Sequence, residues 1–123
     1  MIEGHVFTAV RRDQRLIWKV SRLWELAKDL KPVEISLFEY LNYLDNNFWF
    51  IGDEKPTTRN VATHCRKIVA ADLRYPILLS AEGDLMDGMH RLAKAWMNND
   101  KTVRTVRFPK TPTPDLVEDL PNR

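Results

Sequence analysis

The chain has 123 residues, 44% of them hydrophobic and 29% charged, with a formal net charge of +2. That fits one small globular domain, and so slight a positive excess is no argument for nucleic acid. Cys65 is the single cysteine, which excludes an intramolecular disulfide and a cysteine-based zinc site, and no apolar run approaches the roughly 20 residues that span a bilayer.

In chain order, Val6-Phe7-Thr8-Ala9-Val10 reads as a short strand. Arg11, Arg12 and Arg15 then crowd before Leu16-Ile17-Trp18. They make either a solvated arm packed by Ile17 and Trp18 or a basic arm against nucleic acid. Ser21 is a candidate N-cap for a helix over 21–30, with Leu23, Leu26, Ala27 and Leu30 as one buried stripe. Pro32 stops it. Residues 33–37 alternate apolar and polar, as a half-exposed strand does.

Residues 38–51 are rich in aromatics, among them Phe48, Trp49 and Phe50. Leu37, Tyr40, Leu41 and Leu44 keep helical spacing and predict a short helix. The aromatic surface suits a core or a subunit contact, so a homodimer is one expectation. After the polar loop 52–56, Thr57 or Thr58 caps a helix over 59–73. Val61, Cys65, Ile68 and Val69 would be its apolar stripe, which makes Cys65 a buried small hydrophobe. Asn60, Thr63 and Lys67 would share a second face.

Residues 76–80 form an apolar run suited to a buried strand. Glu82-Gly83-Asp84 turns the chain, and Leu85-Met86 returns. Met89, Leu92, Ala93 and Trp96 predict a helix to about Asn98, and 102–108 a last strand at an edge. Pro109, Pro112, Pro114 and Pro121 predict an extended tail that pairs poorly in a sheet. The expected organisation is an arm and short helix over 1–32, a domain over 33–108 and a proline-rich tail over 109–123.

The stretch with the most chemistry is Asp87-Gly88-Met89-His90-Arg91. A strand that turns through glycine into a helix directs backbone N–H groups at one spot, and His90 and Arg91 add side-chain donors there. The plain alternative is a capped helix start, with Arg91 paired to Asp87 or Glu82. Asp87 itself can cap the helix, hold Mg²⁺ or act as a base. His64 reads as a structural or exposed histidine. His5, His64 and His90 share no spacing of a metal cage, so no resident metal site is expected. No phosphate-binding P-loop and no Gly-x-Ser-x-Gly elbow is present.

Pro76-Ile77-Leu78-Leu79, a glycine turn, Asp87-Gly88-Met89-His90-Arg91-Leu92-Ala93 and a closing strand together resemble the ParB/sulfiredoxin-like superfamily. The likeness spans roughly 33–108. It implies a small α+β fold, a mixed sheet with packed helices, and nucleotide phosphates at the helix start. Carried over, it places Gly88, Met89, His90 and Arg91 at a phosphate, with Asn60, Thr63 and Lys67 on a preceding helix and Asp87 as the catalytic candidate. It implies Mg²⁺ with ATP, ADP or CTP. Met89 stands where sulfiredoxin needs a cysteine, and a thioether is no attacking thiolate. The helix-turn-helix domain that follows this unit in ParB proteins has no counterpart before the proline-rich tail.

The leading expectation is therefore a cytoplasmic protein, without a membrane partner, that binds a nucleotide or phosphorylated small molecule. Phosphoryl transfer or nucleotide hydrolysis would be its chemistry. The alternative is a non-catalytic DNA- or protein-binding accessory module using Arg11, Arg12, Arg15, Arg59, Arg66 and Lys67.

Overall fold

A computed structural model of the chain describes residues 4–121. The fold class is α+β, with sheets of three and four strands and four α-helices among the described residues. The chain gathers into two compact units. One holds the chain up to Lys31, Leu78–Asp87 and the chain from Arg107; the other holds Pro32–Ile77 and Gly88–Val106. The Leu78–Asp87 segment thus lies inside the expected 33–108 domain but clusters with its flanks.

The first unit is built on a hairpin of β1 (Val6–Arg11) and β2 (Gln14–Lys19). Arg12 and Asp13 make the turn, with Arg12 in the left-handed region at φ 57°. Phe7 faces Trp18 across the pair, their ring centroids 5.5 Å apart. The arginine-rich arm is therefore a strand: Gln14, Arg15 and Lys19 stay exposed while Ile17 and Trp18 are buried. The tail also departs from expectation. Leu116–Asp119 forms β7 and pairs antiparallel with β2, from Gln14↔Asp119 to Ile17↔Leu116. The four prolines flank this segment and leave its own N–H groups intact, so the ladder forms. A strap before it is held by Trp18 Nε1 donating to the Pro112 carbonyl at 2.7 Å. Lys19 N–H donates to Asp115 at 2.8 Å, and Arg22 pairs with the same carboxylate at 3.2 Å.

Helix α1 (Val20–Ala27) follows β2 directly, with Lys19 at the N-cap and no side-chain cap. Ser21 therefore lies inside the helix and does not cap it. Val20, Leu23 and Ala27 are buried, while Leu26 turns out to solvent. In the same unit Leu78 and Leu79 of β4 (Ile77–Leu79) pair with β5 (Leu85–Asp87) around a turn with Gly83 at φ 94°.

In the second unit β3 (Val33–Ser36) pairs antiparallel with β6 (Thr102–Arg107), from Val33↔Thr105 to Ser36↔Thr102. Beyond Arg107, within the first unit, the Phe108 N–H donates to Leu79 O at 3.0 Å. A 3₁₀ turn (Leu37–Tyr40) leads into the single-turn α2 (Leu41–Leu44). Tyr40 is buried with its hydroxyl 2.9 Å from Thr105 Oγ1.

Helix α3 (Thr58–Ala70) is capped by Thr57, whose hydroxyl accepts from Asn60 N–H. Its buried face is His64 and Ile68; Val61, Cys65 and Val69 are exposed. The expected stripe is thus rotated by about one residue, or roughly 100°. Helix α4 (Met89–Met97) buries Met89, Leu92 and Ala95 and exposes Trp96. Lys94 Nζ joins the two helices, donating to the Val69 and Ala71 carbonyls at 2.9 and 2.7 Å.

Candidate functional site

The start of α4 depends on one glycine. Gly88 is the N-cap, at φ 113°, where a side chain is strained. A Cβ there would lie 2.7 Å from Ile77 Cγ2 and 3.0 Å from both Ile77 Cα and Arg91 Nη2. The backbone thus passes close over Ile77, and the Arg91 guanidinium folds back across the helix start. The first turn closes with Leu92 N–H donating to Gly88 O at 2.9 Å. The N–H groups of that turn point out along the helix axis, toward the positive end of its dipole. The Met89 side chain is buried, so only its backbone is available to a ligand.

His90, one residue further on, belongs to a line of three bonded groups. Glu54 Oε1 is 2.8 Å from His64 Nε2, and His64 Nδ1 is 2.8 Å from His90 Nε2. The Trp49 ring stacks on both imidazoles, at 4.4 Å and 10° to His64 and 4.6 Å and 11° to His90. Phe50 meets His64 edge-on at 5.4 Å. The fold positions these groups simply. His64 projects from the buried face of α3 toward α4, and the loop before Thr57 brings Glu54 and Trp49 over it. Only 7% of His64 is exposed.

The sequence-predicted residues divide accordingly. Gly88, Met89, His90 and Arg91 come together in one helical turn. Asn60, Thr63 and Lys67 do not form a ligand-facing set. Asn60 Nδ2 is used by the Lys55 carbonyl at 2.7 Å, Thr63 Oγ1 by the Arg59 carbonyl at 2.9 Å, and Lys67 is exposed. The α3 side chain that bonds to the α4 turn is His64, which lies between them. Asp87 belongs to the first unit, where its Oδ2 accepts from Trp24 Nε1 at 2.8 Å. It does not cap α4, because Gly88 holds that position.

Glu54, Trp49 and His64 were not picked out as a site by the sequence. The available signal was weak: a histidine four residues before Ile68, on the face that carries the helix's burial, after an aromatic and polar loop. Among the described residues, no group of three or more His, Cys, Asp or Glu side chains is arranged to hold a metal ion. Likewise, no helix is long and apolar enough to cross a membrane. Comparison with protein-family models, curated proteins and solved structures finds no match to this chain.

Proposed function

We propose that this chain binds a phosphate-bearing ligand, most simply a nucleotide, at the first turn of α4. The observation that carries the reading is the conjunction at Gly88: a glycine-only backbone, a helix N-terminus and the Arg91 guanidinium folded over it. Backbone N–H groups and a guanidinium suit a tetrahedral oxyanion, which accepts several hydrogen bonds at once. His90 lies in the same turn, with its Nε2 2.8 Å from His64 Nδ1. The resemblance of Asp87-Gly88-Met89-His90-Arg91 to the ParB/sulfiredoxin-like helix start points to the same ligand class. Phosphoryl chemistry fits better than redox chemistry, since Met89 offers a buried thioether. A lone cysteine suits a reducing compartment such as the cytoplasm.

The test is calorimetric titration of ATP, ADP, CTP and inorganic phosphate, each with and without Mg²⁺, into wild type and Arg91→Ala. Binding by the wild type that weakens about 10- to 100-fold in the variant is expected, from the loss of a charge-assisted hydrogen bond. Binding that Arg91→Ala leaves unchanged, or no binding by a folded wild type, would turn the reading toward an accessory module that docks on protein or DNA.

A further inference from the structure

We propose that the second unit carries a separate site for a small zwitterion with an apolar body, an aliphatic α-amino acid. It lies in the cleft between the end of α3 and the exposed face of β3 and β6. The inference goes beyond the phosphate reading and does not depend on it. Its basis is a pair of opposite charges, Glu34 and Arg104, that stand directly across the β3–β6 ladder. Among the described residues the two form no ion pair with each other.

Directly opposed residues share one face of a sheet, with Cβ atoms about 5 Å apart, and opposite charges there attract. Here each is held by another partner. Arg104 Nη1 donates to the Arg74 carbonyl at 3.0 Å. Glu34 Oε2 accepts from Thr102 Oγ1 at 3.0 Å. These bonds fix both side chains. They leave the second Glu34 oxygen and the Arg104 Nε and Nη2 groups for a ligand. Lys94 adds a second cation. Its Nζ donates to the Val69 and Ala71 carbonyls at the end of α3, and an ammonium has a third N–H to give. Arg74 is occupied differently: its Nε and Nη2 donate to Asp72 at 3.1 and 2.8 Å, so those two charges offset each other.

These groups line a cleft of about 640 Å³, within the range of roughly 300–1,000 Å³ for small-ligand sites. Ala70, Ala71 and Leu73 give it an apolar wall. The polar groups are of opposite sign. Arg104 and Lys94 suit a carboxylate, with which a guanidinium can make two parallel bonds. The open Glu34 oxygen suits an ammonium. A ligand with both groups on one carbon spans a cross-strand gap of this size, and the α-amino acids are that class. A phosphate or a dicarboxylate would bring negative charge against Glu34. An amine alone would bring positive charge against Arg104 and Lys94. The apolar wall favours an aliphatic side chain over a charged one, which would lose its hydration there.

Leucine is the probe, with leucinamide (no carboxylate) and N-acetylleucine (no ammonium) as its one-ended relatives. Nitrogen-15 NMR titration of the intact chain reads binding through the amides of Ala70, Ala71, Leu73 and Arg104. Leucine is expected to saturate these shifts with a Kd of about 1 mM or tighter, and each relative to bind about tenfold more weakly. Glu34→Gln should erase the difference between leucine and N-acetylleucine. Arg104→Gln should erase the difference between leucine and leucinamide. Both positions are exposed, so the fold tolerates either change. No saturable shift with leucine, or with the smaller valine and alanine, up to about 20 mM in a folded protein would overturn the site. Equal affinity for leucine and both relatives, or variants that keep the wild-type ranking, would overturn the two-ended recognition. Inorganic phosphate that shifts the cleft amides as strongly as leucine does would overturn the zwitterion in favour of a plain anion. Phosphate binding at the α4 turn is read from other amides, so its failure and the failure of this site are distinguishable.

Discussion

Gly88 is the residue on which the site's geometry turns. Alanine there must adopt φ near 113° and place its Cβ 2.7 Å from Ile77 Cγ2. Left-handed strain and overpacking together should cost about 2–4 kcal/mol. Urea unfolding of Gly88→Ala checks this, and a midpoint equal to wild type would mean that the glycine is not required. The Asp87–Arg91 stretch was legible in the sequence because strand end, glycine and helix start are local features. Glu54, His64 and His90 were not legible as a set. His64 lies 10 residues from Glu54 and 26 from His90, and only the packing of α3 on α4 brings the rings together. A polar residue on a buried helix face reads, in one dimension, as a break in the face.

At the scale of elements, the clearest gap between sequence and structure is α3. Val61 and Val69 are apolar yet 40% and 68% exposed, while His64 is buried because Glu54 and His90 bond both of its ring nitrogens. Hydropathy weighs transfer from water alone and misses a polar group whose partners come from elsewhere. The hairpin and β7 show the converse. Strands β2 and β7 mix charged and apolar residues, and β7 buries none of its four, so neither shows a period-two pattern. What holds β7 is chemistry around Asp115. Burial pushes its carboxyl up, but the Lys19 N–H and Arg22 outweigh this and hold it below the usual range. A carboxyl lowered in the folded state stabilises it above the ordinary carboxylate value, about pH 4, and that contribution is lost as pH falls through the folded-state value. The protection factor for exchange of the Asp115 N–H bonded to Ile17 O should therefore fall on acidification below about pH 4 in wild type. Asp115→Asn should show lower protection at neutral pH and a smaller acid response. An unchanged acid response in the variant would put the loss elsewhere.

Taken as a whole molecule, the chain has little net charge to spend, so any affinity for anions must come from local arrangement. The basic residues are spread over separate elements: Arg11, Arg12 and Arg15 around the β1–β2 turn, and Arg59, Arg66 and Lys67 along α3. Arg11 is already paired with Asp84 at 2.8 Å. Just after α3, a side-chain hydrogen bond from Arg74 lowers Asp72 to about 2. That pair is exposed, and an exposed ion pair is screened and does not mark a site. The α4 turn is different because a guanidinium, a helix terminus and a bonded histidine converge within four residues. The most direct test is a nitrogen-15 NMR titration of the intact chain with ATP and with inorganic phosphate. Shifts concentrated on the amides of Gly88, Met89, His90 and Arg91 and on the His90 ring are predicted for both ligands. Shifts confined to other segments, or no saturable shift in a folded protein, would contradict an anion site at the start of α4.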